Sequence, residues 1–513
     1  MTSSSAPEPA LPAPAVPVAT PGTTGGDAAG PAGTSTHVLG GRAVAARGDR
    51  TLDVVDPTTG EAAGTLRLAG ADEVEAAVAG ASAARAAWRR TAPSARAAAL
   101  RAAAAAVRAD ADELGALLQR TTGRLLGQAR ASAEVAAELL EEAAVTGVLD
   151  TGRSLGGSVE AVDVVRREPR GVVAVLTPWN DPYPAAAGLL AAALVTGNTV
   201  VHKPSERSAR AGLELGRRIA EALPEGVLQV LVGDGETGAA LVADERVHVV
   251  AHVGSTATGR RIAAAAGARG ARVLLENGGK DPLVVDAGVD PAWAAQQVAT
   301  GAFTNTGQLC TAVERVYVHE DVADAVLAEL VALADGLRCG DPADPGTGLG
   351  PLVDERQRAV VEQHVDAAVA AGARVLAGGA RPDGPGSFYP ATVLDGCTAD
   401  MAVMTEETFG PVAAVTRVAS FAEGLALADA GAYGLAATVL TPSTAHALEA
   451  AETLEVGTVK VNAVFGGAPG GSADPRRASG QGRGFGPDLL GELTSLKAVH
   501  LEAAPPATGS QGA

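Results

Sequence analysis

From Gly171 to Leu275 the chain alternates short apolar runs with helical patterns, and that alternation leaves few folds open. Gly171-Val172-Val173-Ala174-Val175-Leu176 is almost wholly apolar, the pattern of a strand buried on both faces. Pro184 to Val195 then reads as a helix, Thr199-Val200-Val201-His202 as a strand, and Ala209 to Leu223 as a helix. Strands follow at Val227 to Val232 and Val247 to Val253, then a helix at Ser255 to Ala266 and a strand at Arg272 to Leu275. Strands joined by helices of this length pair in parallel, so the fold class is α/β with an open parallel sheet. A second α/β unit spans about Pro282 to Arg476, with helices expected at Asp286 to Ala299, Asp321 to Ala334, Glu355 to Ala371, Phe421 to Asp429 and Thr444 to Leu454.

Ahead of the first sheet, Thr51 to Pro57 alternates and turns at Thr58-Thr59-Gly60, which predicts a β-hairpin. Asp72 opens a helix with Val74, Ala77, Val78 and Ala81 on one face. Ser94 is the expected cap of one long Ala-rich helix running toward Arg120, with Gly123 as its stop. Another helix covers about Gln128 to Val145, and Ala161 to Glu168 reads as a strand closed by Pro169. A last strand-like piece, Leu496 to Leu501, follows the Gly/Arg-rich loop Arg476 to Gly486. Residues 1–36 are mostly Ala, Pro, Gly, Ser and Thr without Lys or Arg, too poor in apolar surface to order themselves. They lack the basic and apolar regions of a secretory signal, and are expected to be a disordered tail, as are 504–513.

Composition narrows the partners. A net charge of −19 argues against nucleic acid, whose phosphates select a basic face. Cys310, Cys339 and Cys397 form no disulfide or zinc pattern, which suits a reducing, cytoplasmic setting. The histidines lack paired spacing, so no metal is expected. No apolar helix pattern approaches the roughly 20 residues of a membrane span. Only four of the 40 basic residues are lysines, Lys203, Lys280, Lys460 and Lys497. GC-rich coding bias explains part of this, yet in so arginine-rich a chain these four places are candidates for needing a compact ammonium.

Chemistry concentrates at Asn305-Thr306-Gly307-Gln308-Leu309-Cys310-Thr311, a cysteine in a Gly-bearing turn before a strand-like run. A thiol there can attack a carbonyl if one group polarises the carbonyl and another acts as base. Asn180, in Thr177-Pro178-Trp179-Asn180, and Glu276, in Leu274-Leu275-Glu276-Asn277-Gly278-Gly279-Lys280, are the candidates. Asn180 alone reads equally as a turn former before Asp181-Pro182, and a lone cysteine as a small buried hydrophobe. Gly254-Ser255-Thr256-Ala257-Thr258-Gly259 opens a helix after a strand, where backbone N–H groups can hold a pyrophosphate. Arg260-Arg261 stand where a P-loop needs Lys and Ser/Thr, which excludes a nucleoside triphosphatase. Gly233 to Gly238 fits G-x-G-x-x-G and counts only as a supporting strand-to-helix turn.

These segments together resemble the aldehyde dehydrogenase superfamily from about residue 37 to about 503, in its hydrolytic, non-acylating branch. The resemblance implies a Rossmann-like cofactor domain (37–147 and 170–277), a catalytic α/β domain (278–476) and a small β oligomerisation element (148–169 and 484–503). It implies that Cys310 attacks an aldehyde, that Asn180 and the Cys310 N–H hold the oxyanion, and that Glu276 activates water to release a carboxylic acid. Branches that transfer the acyl group to coenzyme A usually lack this glutamate. Thr177, Pro178 and Trp179, with Gly254, Ser255 and Gly259, are then cofactor contacts. Lys203 and Glu206 of Lys203-Pro204-Ser205-Glu206 grip the adenosine ribose, and Glu407 and Phe409 of Glu406-Glu407-Thr408-Phe409-Gly410-Pro411 hold the nicotinamide ribose and ring. A carboxylate at Glu206 favours NAD over NADP, because it repels a 2′-phosphate. A homodimer or homotetramer is implied as well.

Two departures touch the substrate. Asp181 stands where the family more often carries an aromatic residue, and is expected to reshape the aldehyde tunnel. The usual Pro-Phe-Gly-Gly segment is replaced by Phe465 to Gly471 with a longer insert before Ser479-Gly480-Gln481-Gly482-Arg483. Succinate semialdehyde is one candidate substrate beside general aliphatic and aromatic aldehydes. The competing readings are acyl transfer or ester hydrolysis at the same cysteine, and a catalytically idle oligomer of this fold.

Overall fold

The computed structural model describes residues 36–150, 152–467 and 471–504; the tail expected over 1–36 lies outside them up to residue 35, as does the expected tail beyond residue 504. The first sheet has eight strands in the order Arg42–Ala45, Thr36–Leu39, Leu228–Val230, Thr199–Pro204, Val172–Thr177, Val247–Val253, Arg272–Glu276 and Gly480–Gln481. Its five middle strands run parallel and its edges antiparallel. Alternation divides Val172–Thr177 between two apolar layers. Val173 and Val175 join one cluster, Val172, Ala174 and Leu176 the other. The chain moves outward from Val172–Thr177 in both directions, so the strand order reverses between this strand and Val247–Val253. Crevices beyond the carboxyl ends of strands at such a reversal are where α/β sheets bind ligands.

A second sheet of seven strands runs Arg374–Ala377, Thr392–Asp395, Val412–Val418, Val313–His319, Asp281–Val285, Ala436–Leu440 and Thr458–Val461, parallel except at its first edge. Thr494–Glu502 pairs antiparallel with Ala161–Pro169, and Arg153–Ser154 completes that small sheet. The hairpin appears as Thr51–Val55 against Ala62–Arg67. The Pro182–Val195 helix buries nearly every side chain, and no described helix is long and apolar enough to cross a membrane.

Three expectations fail for local reasons. The single helix toward Arg120 is two, Pro93–Ala109 and Ala111–Thr122. The chain kinks at Asp110, whose carboxylate accepts from Arg218 Nε at 2.7 Å. Arg218 is itself buried, so this ion pair fixes the kink. Ser94 is not the cap: Ala92 takes that place, because Pro93 sets the first helical φ and needs no donor there. The helix expected from Asp286 instead runs Pro291–Phe303, capped by Asp290, which accepts from Trp293 N at 2.7 Å. Asp286 is held back by its own carboxylate, which bonds Thr441 Oγ1 and His446 Nδ1.

Candidate active site

Cys310 follows a turn in which Asn305, Thr306 and Gly307 all take positive φ, at 52°, 57° and 71°. Two consecutive non-glycine residues in this region cost about 1–2 kcal/mol each, and side-chain bonds offset that cost. Asn305 Nδ2 donates to the carbonyls of Asn180 and Gln308, both at 3.2 Å. Thr306 Oγ1 donates to Gly350 O at 3.1 Å, and Gln308 Oε1 accepts from Val353 N at 2.9 Å. Gly307 is required sterically, since a Cβ there would fall 2.0 Å from Gly410 O.

Asn180 follows the Val172–Thr177 strand and donates through Nδ2 to Gln308 O at 3.0 Å. One amide proton thereby ties Asn180 to the cysteine turn, and the amide has a second to offer. The Asp181 carboxylate pairs with Arg124 Nη1 at 2.6 Å and accepts from Ser132 Oγ at 2.7 Å.

Glu276 ends the Arg272–Glu276 strand and is 8% exposed. Among the described residues, the one hydrogen bond to its carboxylate comes from Gly484 N at 2.9 Å. Burial, only partly opposed by that bond and reinforced by Asp474, pushes its carboxyl up to about 8. Cys310 keeps access to solvent. Protein nevertheless crowds it enough that burial, then the charges of Asp281, Glu276, Glu407 and Asp181, push the thiol up to about 12. The two facts bear on different properties: the exposure governs access to the residue, the crowding governs the thiol's proton affinity.

On the other side of the strand-order reversal, Lys203 Nζ donates to Pro204 O at 2.8 Å and Gly233 O at 2.9 Å, with Glu206 Oε2 at 3.7 Å. Ser255 caps the Thr256–Ala268 helix, accepting from Thr258 N at 3.4 Å. Gly259 lets the helix pack closely on Asn277, since a Cβ there would meet Asn277 Oδ1 at 2.0 Å. That buried amide oxygen has no hydrogen-bond partner. An ammonium and a carboxylate after the Thr199–Pro204 strand and a helix N-terminus after Val247–Val253, the two strands that flank Val172–Thr177, with an unpaired acceptor packed against that helix, fit a dinucleotide. Trp179 meets Phe409 edge to face at 5.4 Å, and the Arg207 guanidinium lies 5.4 Å over the Trp179 ring. Glu407 Oε1 accepts from Gly279 N at 2.9 Å, and burial followed by the Glu314 charge raises its carboxyl to about 7.

The structure therefore brings Asn180 to the Cys310 turn by direct contact. Glu276 and Glu407 join through their fields on the thiol, and Thr177, Pro178, Trp179, Lys203, Glu206, Gly254, Ser255 and Gly259 gather at neighbouring strand ends. Sequence reasoning missed Gly484, Gln308, Arg124, Ser132 and above all Glu314, which pairs with the buried Lys280 at 2.5 Å. Two charged residues, Glu314 and Arg315, inside the otherwise apolar strand Val313–His319 were the available signal. The lysine argument holds at Lys203 and Lys280, while Lys497 forms an ordinary surface pair with Glu168 at 2.7 Å.

Comparison with known proteins agrees with this geometry. The aldehyde dehydrogenase family matches residues 44–499. The 3,6-anhydro-alpha-L-galactose dehydrogenase of Streptomyces coelicolor is 38% identical over 88% of this chain and 94% of its own length. The betaine aldehyde dehydrogenase of Cereibacter sphaeroides is 35% identical over 92% of this chain and 98% of its own. The crystal structure of an NAD-dependent aldehyde dehydrogenase from Sinorhizobium meliloti superposes with a TM-score of 0.88 at 33% identity, covering 92% of this chain and 96% of that one. With such coverage by sequence and by structure, the chain belongs to the aldehyde dehydrogenase family.

Proposed function

We propose that this enzyme oxidises an aldehyde to its carboxylic acid through a covalent Cys310 intermediate, with NAD as the preferred acceptor. The observation that carries the reading is the pairing of a pinned, solvent-reached Cys310 and Asn180 with a buried Glu276 whose proton affinity lies near neutrality. Cys310 Sγ bonds to the aldehyde carbon as its proton passes to solvent water. The oxygen takes the carbonyl π electrons and is held by the second Asn180 amide proton and the Cys310 N–H. NAD, when bound by the residues named below, would supply the hydride acceptor needed to bring the adduct to the oxidation level of a thioester. Glu276 then removes a proton from water, whose oxygen attacks the acyl carbon. The C–S bond breaks and the acid departs, with the proton returning to sulfur.

Thr177, Pro178, Trp179, Lys203, Glu206, Gly254, Ser255, Gly259, Glu407 and Phe409 are the proposed cofactor contacts. The Glu206 carboxylate supports NAD over NADP. Residues 37–147 with 170–277, and 278–476, are proposed as cofactor and catalytic domains. Segments 148–169 and 484–503 are proposed to join subunits of a homo-oligomer, an idea supported by the exposed Val162, Leu496 and Leu501 on the small sheet. A reducing cytoplasm suits the unpaired Cys310.

The test is absorbance of reduced nicotinamide with NAD or NADP and a panel of neutral, cationic and acidic aldehydes. Growth with NAD that Cys310→Ala abolishes supports the reading. Silence from a folded protein that binds NAD points to the idle-oligomer alternative.

A further inference from the structure

Glu314 lies four residues beyond Cys310, within the Val313–His319 strand, and is 3% exposed. Its carboxylate collects three donors. Lys280 Nζ reaches Oε2 at 2.5 Å, Thr408 N reaches the same oxygen at 2.7 Å, and Phe409 N reaches Oε1 at 2.8 Å. One carboxylate thus takes two successive backbone N–H groups of the loop that carries Glu407 and Phe409. The rest of that loop is tied as well. Gln357 Nε2 donates to the carbonyls of Thr408 and Phe409 at 3.0 and 3.2 Å, while Lys280 Nζ and His364 Nδ1 both meet Thr408 Oγ1 at 3.1 Å.

The conformation being held is unusual. Phe409 has φ 52°, a left-handed conformation that a side chain bearing a Cβ adopts only at a cost. That turn sends the Phe409 ring edge onto Trp179, beyond the carboxyl end of the first sheet, while Glu407 reaches back to Gly279 N. Glu314 is the acceptor for both N–H groups that define the turn. A hydrogen bond to a charged acceptor is stronger than a neutral one, so its carboxylate suits this task better than an amide or hydroxyl. The same loop abuts the cysteine turn, where a Cβ on Gly307 would strike Gly410 O.

We propose that Glu314 is a positioning residue for the nicotinamide half of the cofactor, acting through the Thr408–Phe409 backbone to set Glu407 and Phe409. The proposal rests on the cofactor reading above. The alternative is a buried ion pair that only stabilises the fold. Removing such a pair would loosen both halves of the cofactor site, whereas removing a positioning residue affects one half.

The experiment is calorimetric titration of the full-length enzyme and its Glu314→Gln variant with NAD and, separately, with AMP, which carries only the adenosine half. The variant is expected to raise the Kd for NAD about tenfold, or about 1.4 kcal/mol. The Kd for AMP should hold within about twofold. Cofactor-free hydrolysis of an activated ester at Cys310 should also hold within about twofold, and the KM for NAD should rise more than kcat falls. An unchanged Kd for NAD, or a parallel rise for AMP, overturns the proposal. Should Glu314→Gln fail to fold, Lys280→Met with Glu314→Gln removes both charges, and the same NAD-against-AMP split is required of it. A wild-type enzyme that bound neither compound would overturn the cofactor reading itself.

Discussion

Glu276 and Glu314 are buried almost equally, at 8% and 3% exposure, yet their surroundings suit them to the opposite kinds of work proposed for them. Glu276 faces a single backbone donor and no cation, so desolvation raises its proton affinity into the range where a carboxylate exchanges protons at physiological pH. Glu314 has an ammonium and two backbone N–H groups at once, and its lone pairs are committed to holding a loop. Burial alone does not make a catalytic acid or base. The number and charge of the donors decide whether a carboxylate transfers protons or holds structure.

The sharpest way to separate the two is to remove the charge from each. Glu276→Gln should lower kcat by about 10²–10⁴ while leaving thermal stability near that of the wild type, measured by steady-state kinetics and a melting curve. Glu314→Gln should do the reverse to the fold: it strands Lys280 as a buried unpaired charge and costs about 3–5 kcal/mol in denaturant unfolding. Lys280→Met combined with Glu314→Gln should recover much of that loss, and failure to recover would mean that the backbone bonds, not the charge pair, dominate.

Smaller changes test the company that each carboxylate keeps. A Cβ at residue 484 would lie 2.3 Å from Glu276 Oε1, so Gly484→Ala must displace the carboxylate from its only donor. Thioester hydrolysis should fall about tenfold at pH 7. The pH profile gives the sign. Hydrolysis needs ionised Glu276, so in the wild type its rate should rise with pH through an inflection near 8 and level off above it. Losing the Gly484 bond, which opposes the upward shift, should move the inflection higher. A profile flat from pH 6 to 9 would contradict the assignment. The smallest effect belongs to the half-exposed Lys497, paired with Glu168, where Lys497→Ala should change unfolding stability by about 0–1 kcal/mol.

Much of the α/β alternation and the three side chains proposed to react were legible because the signals are local. Val172–Thr177 announces a buried strand, and Cys310, Asn180 and Glu276 each sit in a short recognisable turn at a strand end. What could not be read depends on chain crossings. Glu314 meets Thr408 across 94 residues, Lys280 meets Thr408 across 128, and Gly484 meets Glu276 across 208. Parallel strands joined by crossovers bring such partners together without any spacing rule in the sequence. The helix errors have the same origin: Asp110 bends the Ala-rich segment because buried Arg218, far along the chain, pulls on its carboxylate. The partners of Asp181, Arg124 and Ser132, likewise carry no local mark.

The most direct test of the division of labour between Cys310 and Glu276 is a rapid-mixing record of reduced nicotinamide from Glu276→Gln with NAD and a turned-over aldehyde. The account predicts a burst approaching one equivalent per Cys310, formed near the wild-type rate, followed by almost no further turnover as the thioester persists. A variant with no burst, or one that turns over steadily at the wild-type rate, would show that Glu276 is not the residue that drives water onto the thioester.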